Sequence, residues 1–225
     1  MTDIVVATRD RRDLLMRTIV ALTCRTRPPY RMTIIDDGSD PEVPSYLIPW
    51  TVIRHEVPLG IAANLRQLLA VTKSDPLVYT DDDVLCPYLE PDWLSQMLAE
   101  MEARPHLGIL GLNNPQAHPS INGDSRRIAE RDGEVTYCRN VGGQFVMFRR
   151  QVLEELSIGD GLQSPLKQLC IDAGSRTWRV GFMTNAYCQH IGEQSVRGGY
   201  DWSKELDRVR PVDDRTLEPP VEYRS

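Results

Sequence analysis

Short apolar runs alternate with helix-periodic segments over residues 1–112, and this rhythm leaves the chain few architectures. Asp3–Thr8, Arg31–Asp36, Thr51–Glu56, Leu77–Thr80 and Gly108–Leu112 read as strands. Leu15, Ile19 and Leu22 recur at helical spacing in the segment Arg11–Leu22. Ile61, Leu65, Leu68 and Leu69 mark a second helix. Leu94, Met97, Leu98 and Met101 mark a third, with Pro91 near its start. Continuous apolar strands suit a sheet covered on both faces. The alternation therefore predicts an α/β domain with a Rossmann-like, mainly parallel sheet flanked by helices. Right-handed crossovers place the strand C-terminal ends on one edge, where ligands bind in such sheets.

The pattern changes after residue 112. Residues 113–140 are polar and rich in Asn, Gly and Arg, so loops or a hairpin are expected. Gln144–Phe148 reads as a strand, Gln151–Leu156 as a helix and Arg179–Cys188 as a strand. Ser164-Pro165 is an N-cap and first-turn pair for a helix with Leu166, Leu169, Cys170 and Ala173 on one face, and Gly174 is a natural stop. A tail over 201–225 has mixed charge and carries Pro211, Pro219 and Pro220.

A net charge of −6 argues against a general nucleic-acid coat or an anionic membrane surface as partner. No apolar run approaches the roughly 18 residues of a membrane span. The start has no basic region, and its apolar run is too short for a signal peptide. Cys24, Cys86, Cys138, Cys170 and Cys188 are odd in number and widely spaced, without a C-x-x-C pair. They read as small core residues in a reducing compartment, so the expected location is cytoplasmic.

The chemistry lies at two strand ends. Asp81-Asp82-Asp83 follows Leu77-Val78-Tyr79-Thr80. Three carboxylates in a row repel unless water or a divalent cation neutralises them. Mg²⁺ and Mn²⁺ take carboxylate oxygens and bridge to phosphate. An isolated triplet is otherwise a solvated acidic turn. Asp36-Asp37-Gly38-Ser39 closes the second strand, which the topology puts on the same edge. One acidic site then suits a nucleoside, whose base N–H and ribose hydroxyls a carboxylate accepts, and the other its metal-bound phosphates.

Five segments, in order, give the chain a family resemblance. Val6-Ala7-Thr8-Arg9-Asp10-Arg11 is similar to a P-T-Y-N-R strand and turn. Ile34-Ile35-Asp36-Asp37-Gly38-Ser39-Asp40 is similar to I-V-D-D-G-S-x-D. Gly60 to Arg66 resembles the G-x-x-x-A-x-N helix start. Tyr79-Thr80-Asp81-Asp82-Asp83 resembles a D-x-D motif, and Gly142-Gly143-Gln144-Phe145 with Phe148-Arg149-Arg150 resembles a segment lining the donor sugar and acceptor. Together, over about residues 3–190, they resemble the family 2 glycosyltransferases with the GT-A fold. The resemblance implies one catalytic domain over 1–200, with a nucleotide-binding half at 1–112 and an acceptor half at 113–200. It implies Mn²⁺ or Mg²⁺ as cofactor and a nucleotide-sugar donor, most commonly a uridine diphosphate sugar.

It also assigns roles. Asp37, with Asp36, would bind base and ribose, and Thr8 and Arg9 would shape the base pocket. Arg66 would lie near the diphosphate, and Gly142 and Gly143 would line the donor sugar. Asp81 would contact ribose or metal-bound water, and Asp83 would be the principal metal carboxylate. The triplet leaves the register open by one residue, so Asp82 can take either place. His190, after the last strand, would complete the metal shell. Gly192–Tyr200 would then form a lid, with Arg197 reaching the diphosphate. His55, His106 and His118 have no such context. Asp160, before the helix near Ser164, is the choice of catalytic base, with Glu154 or Glu155 as neighbouring alternatives. Asp172 looks like a solvated surface charge.

Sugar transfer needs a stabilised leaving diphosphate, a base for the acceptor hydroxyl and a donor held in line. The acidic turn, Asp160 and the Asp36-Asp37 segment meet these in turn, and the resemblance favours inversion. A nucleotidyltransferase would need a glycine-rich phosphate loop after the first strand. Thr8 to Asp13 contains no glycine. A non-catalytic domain of the same fold would not need intact acidic motifs. The acceptor (saccharide, lipid, protein or modified nucleic acid) and the oligomeric state are not encoded in any motif.

Overall fold

The structure is a computed structural model that describes residues 1–27, 29–44, 50–114, 130–142, 145–156, 158 and 165–192. Strands β1 (Thr2–Thr8), β2 (Tyr30–Asp36), β3 (Thr51–Arg54) and β4 (Leu77–Asp81) alternate with helices α1 (Arg12–Arg25) and α2 (Ile61–Val71). There follow β5 (Val84–Leu85), α3 (Trp93–Ala103), β6 (Leu107–Asn113), β7 (Glu130–Asp132), β8 (Val135–Tyr137) and β9 (Val146–Phe148). Helices α4 (Arg150–Glu155) and α5 (Pro165–Gly174) and strands β10 (Arg179–Tyr187) and β11 (Gln189–His190) complete the described elements.

Among these residues the main sheet has nine strands in the order β3-β2-β1-β4-β9-β6-β10-β8-β7. β1, β2, β3 and β4 are mutually parallel, and β6 and β10 run parallel to each other. β9 is antiparallel to both β4 and β6, and so joins the two parallel groups. The mainly parallel α/β sheet expected from the sequence is therefore present. Chain order reverses at β1: β2 and β3 lie to one side and β4 to the other. A crevice opens at such a reversal, outside the carboxyl ends of the strands.

β1 is buried along its whole length because both faces are covered. Ile4 and Val6 face a cluster with Leu15, Ile19 and Leu22 of α1 and Trp93 and Met97 of α3. Val5 and Ala7 face the opposite cluster, with Leu65 and Leu68 of α2, Val152 of α4 and Leu169 of α5. This period-2 split makes one core above the sheet and one below.

Four local readings need correction, the first being Cys24, read as a core residue but exposed on α1. Within the segment read as Gln144–Phe148, Gln144 lies outside the described residues, and the strand runs Val146–Phe148 because Phe145 has φ +51°, outside extended geometry. Phe145 packs instead edge-on against Trp93, with ring centroids 5.1 Å apart. The helix does end at Gly174, but Gly174 is its last helical residue and not the position beyond it, and Ser175 N–H donates to Ile171. The third strand ends at Arg54, short of Glu56. His55 N–H still donates to Asp36 O, but its side chain turns to Asp37.

Asp3 fastens the edge of the sheet opposite the crevice. Its Oδ1 accepts from Arg31 Nε at 2.6 Å, and its Oδ2 accepts from the amides of Lys73 and Ser74 at 2.6 and 2.9 Å. Burial pushes the carboxyl's pKa up, but these donors outweigh it and hold the value below the ordinary 3.8. The stabilisation is thus complete above that value and is lost as pH falls through the depressed folded value. We expect Asp3→Ala to lower unfolding free energy by about 2–3 kcal/mol at neutral pH. In urea titrations the gap from the parent should close below pH 4 (roughly).

Candidate active site at the switch point

Three strand ends meet at the crevice. Thr8 closes β1, Asp36-Asp37 follows β2, and Asp81-Asp82-Asp83 forms a tight turn from β4 into β5. Thr8 joins all three, because its carbonyl accepts Asp37 N–H at 2.9 Å and its hydroxyl donates to Asp82 Oδ2 at 2.5 Å. The Thr18 hydroxyl of α1 donates to the Asp82 carbonyl at 2.7 Å. Arg9 is exposed, with Nε 3.5 Å from Asp10.

Asp36 is fully buried, and each oxygen accepts a backbone amide: Oδ1 from Ser39 and Oδ2 from Val43. It holds the turn after β2 closed. Asp37 Oδ1 accepts from Leu59 N–H at 2.8 Å and lies 2.9 Å from His55 Nδ1. Its Oδ2 accepts from Gly60 N–H at 2.9 Å. Burial raises the Asp37 pKa, but His55 and the two amides outweigh it, so the carboxylate stays charged. A carboxylate offers about four acceptor positions, so Asp37 Oδ2 keeps one for a ligand.

The acidic turn is buried to unequal depth. Asp82 and Asp83 are 0% and 3% exposed, and Asp81 is half-buried with the Tyr79 hydroxyl 3.5 Å from its Oδ1. Burial and the charges of Asp83 and Asp82 push the Asp81 pKa to about 7. Burial pushes Asp82 to about 6 against the pull of Thr8 and Arg11. Burial also acts on Asp83, but His190 and Arg11 overcome it and lower its pKa. Arg11 Nη1 donates to Asp83 Oδ2 at 2.5 Å, and its Nη2 lies 2.5 Å from Asp82 Oδ1.

His190 reaches the turn through a two-stranded ribbon. β11 pairs antiparallel with β5, placing His190 opposite Val84 and His190 Nε2 3.2 Å from Asp83 Oδ2. The Ile191 amide donates to the Asp83 carbonyl, and Gly192 presses on the Asp83 side chain. A cleft of ≈ 220 Å³ lies between the loops after β1 and β2, lined by Asp10, Arg11, Arg12, Ser39, Asp40, Pro41 and Val43.

The structure brings Thr8, Asp37, Asp81, Asp82, Asp83 and His190 together. Arg66 is exposed, and its Nη1 donates to the carbonyl of Ile158, ahead of Asp160. Gly142 is exposed with open space about it. Gly143, Asp160 and Arg197 lie outside the described residues. Glu155 accepts from Trp178 and Gln151, Glu154 pairs with Arg150, and Asp172 accepts from Gln168 on the surface. The sequence reading missed Arg11 and His55. Each has a positional signal: Arg11 precedes α1 just after β1, and His55 directly follows the strand beside Asp36-Asp37.

The donor set suits a divalent ion. Asp83 and His190 converge as a carboxylate oxygen and an imidazole nitrogen, and Asp83 Oδ1 is buried without a hydrogen-bond partner. Among the described residues no three His, Cys, Asp or Glu side chains form a metal cage. Ions that work on phosphates bind through one or two protein ligands and complete their shell with phosphate and water.

In a doubly wound sheet the switch point, where these acidic strand ends lie, is where an α/β domain binds its ligand. The model of one family, described as glycosyl transferase family 2, matches residues 3–157. The chain belongs to that family. No curated protein matches it. Among solved structures it is similar to mannosyltransferase PcManGT from Pyrobaculum calidifontis, in complex with GDP-Man and Mn²⁺. That match has TM-score 0.71 and 16% identity, covering 88% of this chain and 58% of the other. It is also similar to GalNAc-T7 with UDP, GalNAc and Mn²⁺, with TM-score 0.65 and 14% identity over 86% and 44% of the two chains. S. aureus TarS 1-349 matches with TM-score 0.57 and 14% identity over 83% and 60%. The chain thus spans less than two thirds of each of these solved chains, and the likeness establishes the GT-A fold. No described helix is long and apolar enough to cross a membrane.

A Cβ on Gly192 would overlap Asp83 Oδ2 and come within 3.0 Å of the Asp83 Cβ, whereas one on Gly142 meets nothing within 4 Å. Gly192→Ala should therefore cost about 1–2 kcal/mol by overpacking, while Gly142→Ala should stay within about 0.5 kcal/mol of the parent in urea unfolding.

Proposed function

We propose that this chain is a metal-dependent glycosyltransferase. It moves a sugar from a nucleotide-diphosphate donor to an acceptor hydroxyl, with inversion at the anomeric carbon. The observation that carries this reading is the buried acidic turn at the β1–β4 switch point, with Asp83 and His190 converging on one position. Family membership supports it, and so do the nucleotide sugar and Mn²⁺ named for the mannosyltransferase neighbour.

In this reading Asp83 and His190 hold the ion. The mixed oxygen and nitrogen set favours Mn²⁺ over the all-oxygen preference of Mg²⁺. Once bound, the ion offsets the charge that grows on the leaving diphosphate. Asp37 accepts from the base or ribose through the free position on Oδ2, and Thr8 and Arg9 border that pocket. Asp36 keeps the turn rigid. Asp82 ties the acidic turn to β1, which leaves Asp81 as the carboxylate for ribose or bound water. Arg66 steadies the chain ahead of Asp160, which takes the acceptor proton. A positioned carboxylate base contributes roughly 10²–10⁴-fold. Gly142 and Gly143 leave room for the donor sugar, and Arg197 meets the diphosphate. Residues 1–112 serve the nucleotide and 113–200 the acceptor, within one catalytic domain.

Thermal-shift screening of nucleotide sugars with Mn²⁺ tests the reading. One donor should raise Tm by roughly 5–10 °C at a hundredfold excess over its Kd, and Asp83→Ala should abolish that shift. Asp160→Asn should keep the shift yet lose transfer. A screen in which no nucleotide sugar shifts Tm with Mn²⁺ present would refute the proposal.

A further inference from the structure

Arg11 grips the acidic turn as a replaceable occupant would. Its contact with Asp83 Oδ2 is a hydrogen bond, whereas Nη2 meets Asp82 Oδ1 at ion-pair distance without hydrogen-bond geometry. Asp82 Oδ1 and Asp83 Oδ1 therefore stay buried with no hydrogen-bond partner. The guanidinium neutralises charge but leaves acceptor capacity unfilled. Asp83 Oδ2 is shared between Arg11 Nη1 and His190 Nε2. An ion held by Asp83 and His190 would contest the same carboxylate.

The two sides of this contact differ in freedom. The Arg11 side chain is 41% exposed, while those of Asp82 and Asp83 are 0% and 5% exposed. The Arg11 carbonyl accepts Leu15 N–H at the start of α1, so its backbone is fixed and release needs only side-chain rotation. Arg11 also lines the cleft between the β1 and β2 loops, which gives the released side chain open volume.

We propose that Arg11 is the resident counter-cation of the acidic turn, that the divalent ion displaces it, and that the freed guanidinium then binds the donor's diphosphate. The inference rests on the glycosyl-transfer reading and deepens it. The exchange puts a doubly charged ion on the carboxylates in place of a singly charged one. It frees a planar fork suited to bidentate phosphate contact. Arg11 then opposes metal binding before the nucleotide arrives and favours nucleotide binding afterwards. A permanent clamp would do otherwise: its loss would loosen the turn and weaken metal binding.

The test uses the full chain, free of nucleotide, with Mn²⁺ binding followed by electron paramagnetic resonance. UDP and GDP binding at saturating Mn²⁺ is then measured by calorimetry. Arg11→Gln should bind Mn²⁺ roughly tenfold more tightly and the preferred diphosphate roughly tenfold more weakly, the order expected for one charge-assisted hydrogen bond. Arg11→Lys keeps the charge but cannot fork across two carboxylates, so it should shift both constants the same way by less. If Arg11→Gln does not fold, Arg11→Lys decides. Unchanged or weaker Mn²⁺ binding in the folded variant overturns the exchange, and unchanged diphosphate binding overturns the second contact. A parent chain that binds neither Mn²⁺ nor either diphosphate defeats the glycosyl-transfer reading itself. Binding of both by the parent, with the variant unaltered, defeats only the role of Arg11.

Discussion

Three adjacent carboxylates cannot be buried together at neutral pH without cations or shared protons, and the crevice is arranged around that constraint. Asp82 and Asp83 are almost wholly out of water, and Asp81 is half out. Arg11 supplies positive charge on one side, where His190 Nε2 also meets Asp83, and the hydroxyl of Thr8 bonds Asp82 on the other. Asp83 is held ionised, whereas Asp81 and Asp82 are pushed toward protonation. The turn has room for more positive charge than the protein brings to it. That deficit suits the turn to a further cation, whereas water would already neutralise an acidic turn in solvent.

The sheet order explains why the charges meet there. Reversal at β1 brings the ends of β2 and β4 to either side of Thr8. Asp37 lies beyond one end and the triplet beyond the other, so carboxylates from the two strands that flank β1 face one crevice. The antiparallel β9 then lets β6 and β10 extend the same sheet. β10 in turn delivers the short β11, whose pairing with β5 carries His190 to Asp83. A residue more than a hundred positions downstream thus joins the site through a ribbon of two residues per strand.

Much of this was legible in the residues. The continuous apolar strands and helix-periodic segments up to Leu112 gave the layers because each element buries a clear face. The acidic strand ends were visible because apolar runs stop at them abruptly. What escaped were features of tertiary geometry. β5 and β11 are too short to show a period, so their pairing left no sequence signal. Arg11 stood inside a recognised motif without a role, because nothing local says that its side chain reaches Asp82 and Asp83. His55 read as an ordinary histidine, since its tie to Asp37 depends on the β2–β3 register. The antiparallel direction of β9 was likewise hidden, as three apolar residues carry no direction.

Everything proposed for the crevice requires that a divalent ion meet the diphosphate at the turn after β4. Crystals grown with Mn²⁺ and UDP, measured at the manganese absorption edge, test it directly. The account predicts an anomalous peak bonded to an Asp83 carboxylate oxygen and to His190 Nε2. Bound UDP with no anomalous peak at this turn, or with the peak at other residues, would contradict it.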